Sequence, residues 1–291
     1  MTLDAAAVRR DLWREYRDID IYIEQSAGST NDIAKALAAD GAAHGSLVIA
    51  DEQTGGRGRF KRSFHSPGGR GLYMSVILRL SRRLPETAPV TIAAALAVCR
   101  SVKRLTGLSP MIKWVNDVFV DGKKVCGILT ETSAEPSETY TSAVIVGVGI
   151  NVDAGDGDFP EALRGSAGSL YPRGDAGISR NALAASVVNE LLALCARLYP
   201  ERNGAGPERG GALPEPAEEA DPIAVRARLD MMREYRSLSM VIGREVAYTY
   251  RGGSGTGLAA GVGDDGRLIV KNKADGAMIA LDSGEVSIRT V

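Results

Sequence analysis

The stretch from Met111 to Leu129 constrains the fold more than any other. It reads Met111-Ile112-Lys113-Trp114-Val115-Asn116-Asp117-Val118-Phe119-Val120, then Asp121-Gly122, then Lys123-Lys124-Val125-Cys126-Gly127-Ile128-Leu129. Asp-Gly between two apolar runs is the strongest short-range hairpin signal. A two-residue loop fixes the register: Val120 faces Lys123, Phe119 faces Lys124 and Asp117 faces Cys126. Residues 117, 119, 124 and 126 then share a face, and Asp117 and Lys124 become diagonal neighbours close enough to interact. An isolated surface ion pair contributes little. Here apolar residues flank both charges, and Lys113 and Asn116 crowd the same positions, so the cluster reads as a site.

A second segment carries chemistry: Gln53-Thr54-Gly55-Gly56-Arg57-Gly58-Arg59, directly after the strand-like run Leu47-Val48-Ile49-Ala50. Glycine permits tight turns and close approach by a ligand. Such a loop can aim N–H groups at an anion, and arginine adds a permanent charge with a planar fork. The formal net charge is −1, so no global field draws in nucleic acid or acidic membrane, and any anion site must be local. Ser29-Thr30-Asn31-Asp32 precedes a helical pattern of Ile33, Ala34 and Leu37. Its hydroxyls either cap that helix or face a ligand at its N-terminus. Ala143 to Val152 is an apolar strand with Gly147 and Gly149 inside it, which marks close approach by a ligand or another backbone. It is not a dinucleotide fingerprint, because the spacing fails and no helix follows.

Elsewhere the periodicities are plain. Residues 4–17 suit a short helix with Val8 and Leu12 inward, with no room ahead of the main fold for a helix-turn-helix domain. Phe60 to Gly71 reads as a mobile loop. Leu72, Met74, Val76, Leu78 and Leu80 alternate as in a half-buried strand. Residues 86–105 form a helix striped by Ile92, Leu96, Cys99 and Val102 or Lys103 and stopped by Gly107. Asn181 to Tyr199 is an amphipathic helix. Residues 201–221 read as a disordered insertion, and a further helix starts at Asp221-Pro222 with Ile223, Leu229 and Met231 or Met232 on its apolar side. From 237 onward short strands at 245–250, 256–262, 268–271, 278–281 and 286–289 suggest a small barrel. The expected domains are therefore 1–236 and 237–291. No secretory signal or membrane-length apolar run is visible, and Cys99, Cys126 and Cys195 fit reduced core thiols, so a cytoplasmic location is expected.

Taken in order, Gly28-Ser29-Thr30-Asn31, Gln53 to Arg59, Gly71 to Ser75, Lys113 to Asp117, Lys124 to Gly127 and Gly147 to Asn151 resemble the biotin protein ligase family, in its form without an N-terminal DNA-binding domain. The resemblance implies an α+β fold, with a mixed-sheet catalytic domain of the biotin/lipoate ligase type followed by an SH3-like barrel. It implies ATP-dependent formation of biotinyl-adenylate, with Mg²⁺, and transfer to a lysine of a biotin carboxyl carrier protein. By the same resemblance Ser29, Thr30, Asn31, Gln53, Arg57, Gly58, Arg59, Gly71, Leu72, Tyr73, Lys124 and Gly127 would bind biotin. Arg57, Arg59, Lys113, Trp114, Asn116, Asp117 and Asn151 would bind ATP, and Asp117 the metal. Arg59, Lys124 and Asp117 would carry the chemistry, in a monomer or weak homodimer.

The chain departs from the family at three places. Val115 replaces a usual proline, which loosens the turn before Asn116. Ser166-Ala167-Gly168-Ser169-Leu170 lacks the tryptophan of the adenine-stacking loop, and Phe64-His65 differs from the commoner aromatic pattern. Two rival readings stand. A lipoate or octanoate ligase shares the fold but wants an apolar pocket. A non-enzymatic ligand- or nucleic-acid-binding regulator wants a basic face that a net charge of −1 does not supply.

Overall fold

The computed structural model describes residues 2–80, 82–83, 88–133, 140–141, 143–172, 177–200 and 221–288. In chain order the elements are α1 (Ala5–Asp11), β1 (Ile21–Ala27), α2 (Thr30–Ala39), β2 (Leu47–Gln53), β3 (Gly71–Leu78), β4 (Arg82–Arg83), α3 (Ala88–Thr106) and β5 (Met111–Lys113). Then come β6 (Asp117–Val120), β7 (Lys123–Thr132), β8 (Tyr140–Thr141), β9 (Val144–Asn151), α4 (Arg180–Leu198) and α5 (Pro222–Leu238). Five further strands follow: β10 (Glu245–Tyr250), β11 (Gly253–Val262), β12 (Leu268–Asn272), β13 (Met278–Leu281) and β14 (Glu285–Ile288).

The apolar runs of the first 151 residues assemble one mixed sheet of order β1-β2-β3-β9-β7-β6-β5, parallel between β1 and β2 and antiparallel elsewhere. Its centre is buried on both faces. Leu72, Met74, Val76 and Leu78 join the main core with α3 and α4, while Ile77 packs with Val48, Ile145 and Ala34 beneath α2. The strand expected to be half-buried is thus fully buried, because a helix covers each side. Burying a side chain such as Leu or Ile contributes about 1.5–3 kcal/mol, so these central strands anchor the domain.

The sequence reading of α4 also needs correction. Its apolar stripe is present, but Asn181, Ser186, Asn189 and Glu190 are buried as well. The two asparagines bind the N-terminal segment: Asn181 Oδ1 accepts from Asp4 N–H (3.1 Å), and Asn189 Oδ1 accepts from Trp13 N–H (2.9 Å). Among the described residues this one helix is long and apolar enough to cross a membrane, contrary to expectation; 78% of its apolar window is buried within the protein. On α5 the buried residues are Ala227, Met231, Met232 and Tyr235, whereas Ile223 and Leu229, expected inward, are exposed. Asp221 caps that helix as expected, accepting from Ile223 N–H at 2.7 Å. Residues 201–220 lie outside the described residues, as do the ends of the expected helix at 86–87 and strand at 289. All three cysteines are free and buried.

The last five strands form an antiparallel sheet of order β13-β12-β11-β10-β14. Among the described residues β13 and β14 stay unpaired with each other, so the sheet is open rather than a closed barrel. It meets the first sheet through buried Trp114, whose Nε1–H donates to Gly266 O at 2.9 Å.

Candidate functional site

Register builds the site. The pairs Lys113–Asp117, Asp117–Gly127, Gly127–Gly149 and Gly149–Tyr73 line up across β5, β6, β7, β9 and β3, so these five residues form one row on one face of the sheet. The next row places Leu129, Gly147 and Ser75 side by side. Glycine in the middle of both rows leaves a trough, with tyrosine at one end and charges at the other.

The hairpin register departs from expectation at one residue. Val120 faces Lys123 and Phe119 faces Lys124, but a bulge follows, so that Val118 faces Cys126 and Asp117 faces Gly127. Val118, Val125 and Cys126 are all buried, and the extra residue turns Cys126 into the core instead of onto the polar face. Asp117 and Lys124 still meet, at 2.8 Å.

The glycines of the trough are occupied by side chains, not by another backbone. A Cβ on Gly147 would lie 2.3 Å from Asn31 Oδ1, and one on Gly149 would lie 2.6 Å from Phe64 Cε1. A Cβ on Gly127 would lie 3.0 Å from Phe64 Cε2. The Phe64 ring therefore rests on Gly127 and Gly149, edge-on to Tyr73 at 6.5 Å between centroids. The cleft left beside it holds about 30 Å³, lined by Ser29, Thr30, Gln53, Arg57 and Leu129 among others.

Its polar end is the start of α2. Ser29 is the N-cap residue by backbone but makes no side-chain cap bond, so the capping reading fails for its hydroxyl. Gln53 Oε1 accepts from Thr30 N–H at 2.9 Å and lies 3.1 Å from Thr30 Oγ1. Ser75 Oγ lies 2.6 Å from Asn31 Oδ1 and 2.7 Å from Thr30 Oγ1, all of it buried. Arg57 closes this end, bound through both guanidinium nitrogens to Asp32 (2.6 and 2.5 Å) and 3.6 Å from Glu131. The hydrogen bond to Arg57 holds the Asp32 carboxyl below the usual carboxylate range, and the same bond raises Arg57.

The opposite end is cationic. Arg59 donates to Asn116 Oδ1 at 3.2 Å, and Asn116 Nδ2–H donates to Ile128 O at 2.8 Å. Burial lowers the pKa of Arg59 while the Asp117 charge opposes that, and Lys113 is lowered by burial in the same surroundings. Arg62 pairs with Glu285 of β14 at 2.7 Å. Arg59, Arg62, Lys113 and Lys124 thus gather around two carboxylates, Asp117 and Glu285, leaving a surplus of positive charge for an anion.

Several expected site residues stand elsewhere. Leu72 points into the main core, on the face opposite Tyr73 and Ser75. Trp114 is buried against Gly266 and presents nothing to the cleft. Asn151 donates to Gly168 O at 2.9 Å, holding the 163–170 segment beside Lys124. Gly71 lies at the end of β3, where a Cβ would meet the Tyr73 ring. The N–H groups of Gly55 and Gly58 go to Gly28 O and Arg62 O, so this loop offers an anion its arginines more than its backbone. The loop folds on itself: Phe64 N–H donates to Gly56 O, and Phe60 and Lys61 both take positive φ at its tip. The turn at Val115 is not loose. Tyr235 Oη–H donates to Val115 O at 3.2 Å, and Ile128 N–H donates to Asn116 O at 3.0 Å. Sequence reasoning gave no role to Asp32, Lys35, Glu131 and Glu285; only the fold brings them in, the first two on α2, Glu131 on β7 and Glu285 on β14.

Comparison with known proteins agrees with this architecture. Residues 23–151 match the Biotin/lipoate A/B protein ligase family, and residues 241–289 match the Biotin protein ligase C terminal domain. The chain is 32% identical over 278 residues to the biotin--[acetyl-CoA-carboxylase] ligase of Mycobacterium tuberculosis, covering 93% of this chain and 89% of that one. It is 39% identical over 193 residues to the bifunctional ligase/repressor BirA of Bacillus spizizenii, covering 66% of this chain and 57% of the relative's length. In three dimensions it resembles the biotin protein ligase from Aquifex aeolicus solved in complex with biotin and ATP, with a TM-score of 0.71 and 23% identity, over 94% of this chain and 99% of that one.

Proposed function

Because the chain belongs to the biotin/lipoate A/B protein ligase family, we propose that it activates biotin with ATP to biotinyl-adenylate and passes the acyl group to a lysine of a biotin carboxyl carrier protein. One observation carries the reading: a trough with a neutral polar end at Ser29, Thr30, Asn31 and Gln53 and a cationic end at Arg59, Lys113 and Lys124. A ureido ring needs the first and a carboxylate meeting a triphosphate needs the second. An acyl pocket for lipoate would be apolar where this one is polar.

In the first half-reaction the biotin carboxylate attacks the α-phosphorus of ATP and diphosphate leaves. Lys124 and Arg59 offset the repulsion between the two anions and stabilise the charge that grows on the phosphoryl oxygens. Asn116 orients Arg59 through its 3.2 Å hydrogen bond. In the second half-reaction the carrier amine attacks the mixed anhydride and AMP leaves. Asp117 orients that amine or takes its proton. Among the described residues no group of three metal-ligating side chains exists. Asp117 therefore suits magnesium only as a single protein ligand, with phosphates and water completing the shell. A bound ion would supply further charge neutralisation on the phosphates.

The test is mass spectrometry of a carrier domain incubated with this protein, ATP and biotin. A biotin-sized adduct on one lysine is expected. Absence of both the adduct and biotin-dependent diphosphate release would refute the reading, and calorimetry with biotin against lipoate separates the two acyl substrates.

A further inference from the structure

Glu131 does not line the cleft, yet it holds two residues that do. Gly127, Leu129 and Glu131 alternate along β7 on the site face, and Glu131 stands opposite Ile145 of β9. One carboxylate oxygen accepts the Asn31 amide N–H at 2.6 Å, and the other accepts Lys35 Nζ at 2.5 Å. Arg57 lies 3.6 Å from the first of these oxygens.

Asn31, Ser75 and Thr30 can each donate or accept, and apart from Glu131 only a long contact from Asn31 Nδ2–H to Leu129 O, at 3.4 Å against 2.6 Å to Glu131, orients the amide. An ionised carboxylate only accepts. Glu131 therefore obliges Asn31 to turn its NH₂ towards β7 and its carbonyl towards Ser75. The Ser75 hydroxyl then gives its single proton to Asn31, which leaves Thr30 to donate across the 2.7 Å Ser75–Thr30 contact and not to Gln53 Oε1 at 3.1 Å. Burial raises the pKa of Glu131, but the hydrogen bonds from Lys35 and Asn31 and the nearby charges outweigh it and keep the group below the usual carboxylate range.

We propose that Glu131 is a positioning residue: it sets the donor–acceptor direction of the Asn31–Ser75–Thr30 chain, and through that chain the pattern of polar groups the cleft offers to the ring of the ligand. This rests on the biotin reading, with a urea-containing ring as the ligand.

The experiment is calorimetric titration of the full chain with biotin. Glu131→Gln keeps the shape but removes the acceptor-only character. It is expected to weaken biotin about tenfold, from the loss of one charge-assisted hydrogen bond, and to move the KM for ATP by less than about twofold. Asn31→Ala alone is expected to cost a similar factor, and the double variant about tenfold rather than about a hundredfold, because the two residues act as one unit. A merely structural Glu131 would give additive losses, and additivity overturns the proposal. So does a Glu131→Gln affinity within about twofold of wild type. Lys35→Met leaves the Asn31 bond in place and is expected to change affinity by less than about twofold; a loss equal to that of Glu131→Gln overturns the route through Asn31. If the wild-type protein gives no heat with biotin, the biotin reading itself falls; wild-type binding with an unshifted Glu131→Gln sinks only the inference.

Discussion

Gly147→Ala probes the site through packing alone. A Cβ at this position would stand 2.3 Å from Asn31 Oδ1 and 3.0 Å from both Asn31 Cγ and Nδ2. Carbon and oxygen normally stop at roughly 3.3 Å even in weak C–H···O contacts, so the overlap is about 1 Å. Asn31 cannot retreat freely: it is 4% exposed and is held between Ser75 and Glu131, each at 2.6 Å. Overpacking costs about 1–3 kcal/mol, and freeing the amide from a carboxylate costs about 1.5–3 kcal/mol. Both measure the same displacement, so together they amount to about 2–4 kcal/mol. For a chain of this size that lowers Tm by roughly 5–15 °C in a thermal melt. Biotin affinity should fall with it, since the displaced amide lines the cleft. Gly149→Ala is the comparison. Its Cβ would strike the Phe64 ring, which belongs to a loop and is partly exposed, so the ring can turn aside at a cost of about 1 kcal/mol. A Gly147→Ala protein that melts within about 1 °C of wild type and binds biotin unchanged would refute the packing argument.

Other outcomes follow from the same geometry. Lys124→Ala or Arg59→Ala should lower biotin-dependent diphosphate release by about 10²–10³-fold, as when one donor to a growing oxyanion is removed, with circular dichroism unaltered. Trp114→Phe leaves Gly266 O without its donor and should cost about 1–3 kcal/mol in denaturant unfolding while sparing the KM for ATP; a large rise in that KM would restore the indole to the nucleotide site. Glu131 has a folded-state pKa below its unfolded value of about 4.3, so its stabilising contribution is complete above that value and is lost as pH falls through the lower folded one. The Tm difference between wild type and Glu131→Gln should accordingly be constant from neutral pH down to about pH 5 and shrink below about pH 4.

Local chemistry made much of the fold legible. The Asp121-Gly122 turn set the first two pairs of the hairpin, and both residues take positive φ there. The bulge beyond them was not legible, because Val118, Val125 and Cys126 are equally apolar and only the core beneath them decides which turns inward. The interior glycines of β9 announced close approach, but not that Asn31 and Phe64 make it. Ile223 and Leu229 fit a helical stripe as well as Ala227, Met231 and Tyr235 do, and tertiary packing against α3 and α4 chose the latter. Asp117 and Lys124 meet as their spacing suggested, and Arg59, which only the family resemblance had put with them, lies within reach of the Asp117 charge. Arg57 stands at the other end of the trough, its charge already matched by Asp32 of α2 and approached by Glu131 of β7, a meeting of three separate segments that no local spacing announces.

The phenyl ring on Gly127 and Gly149 has a thermodynamic corollary. A guest that settles there evicts an apolar tenant that was already half shielded from water, so association is in part an exchange and not a simple dehydration. The heat-capacity change on binding should then be smaller in magnitude than the guest's own hydrocarbon surface would suggest, and truncating the tenant to alanine should enlarge it.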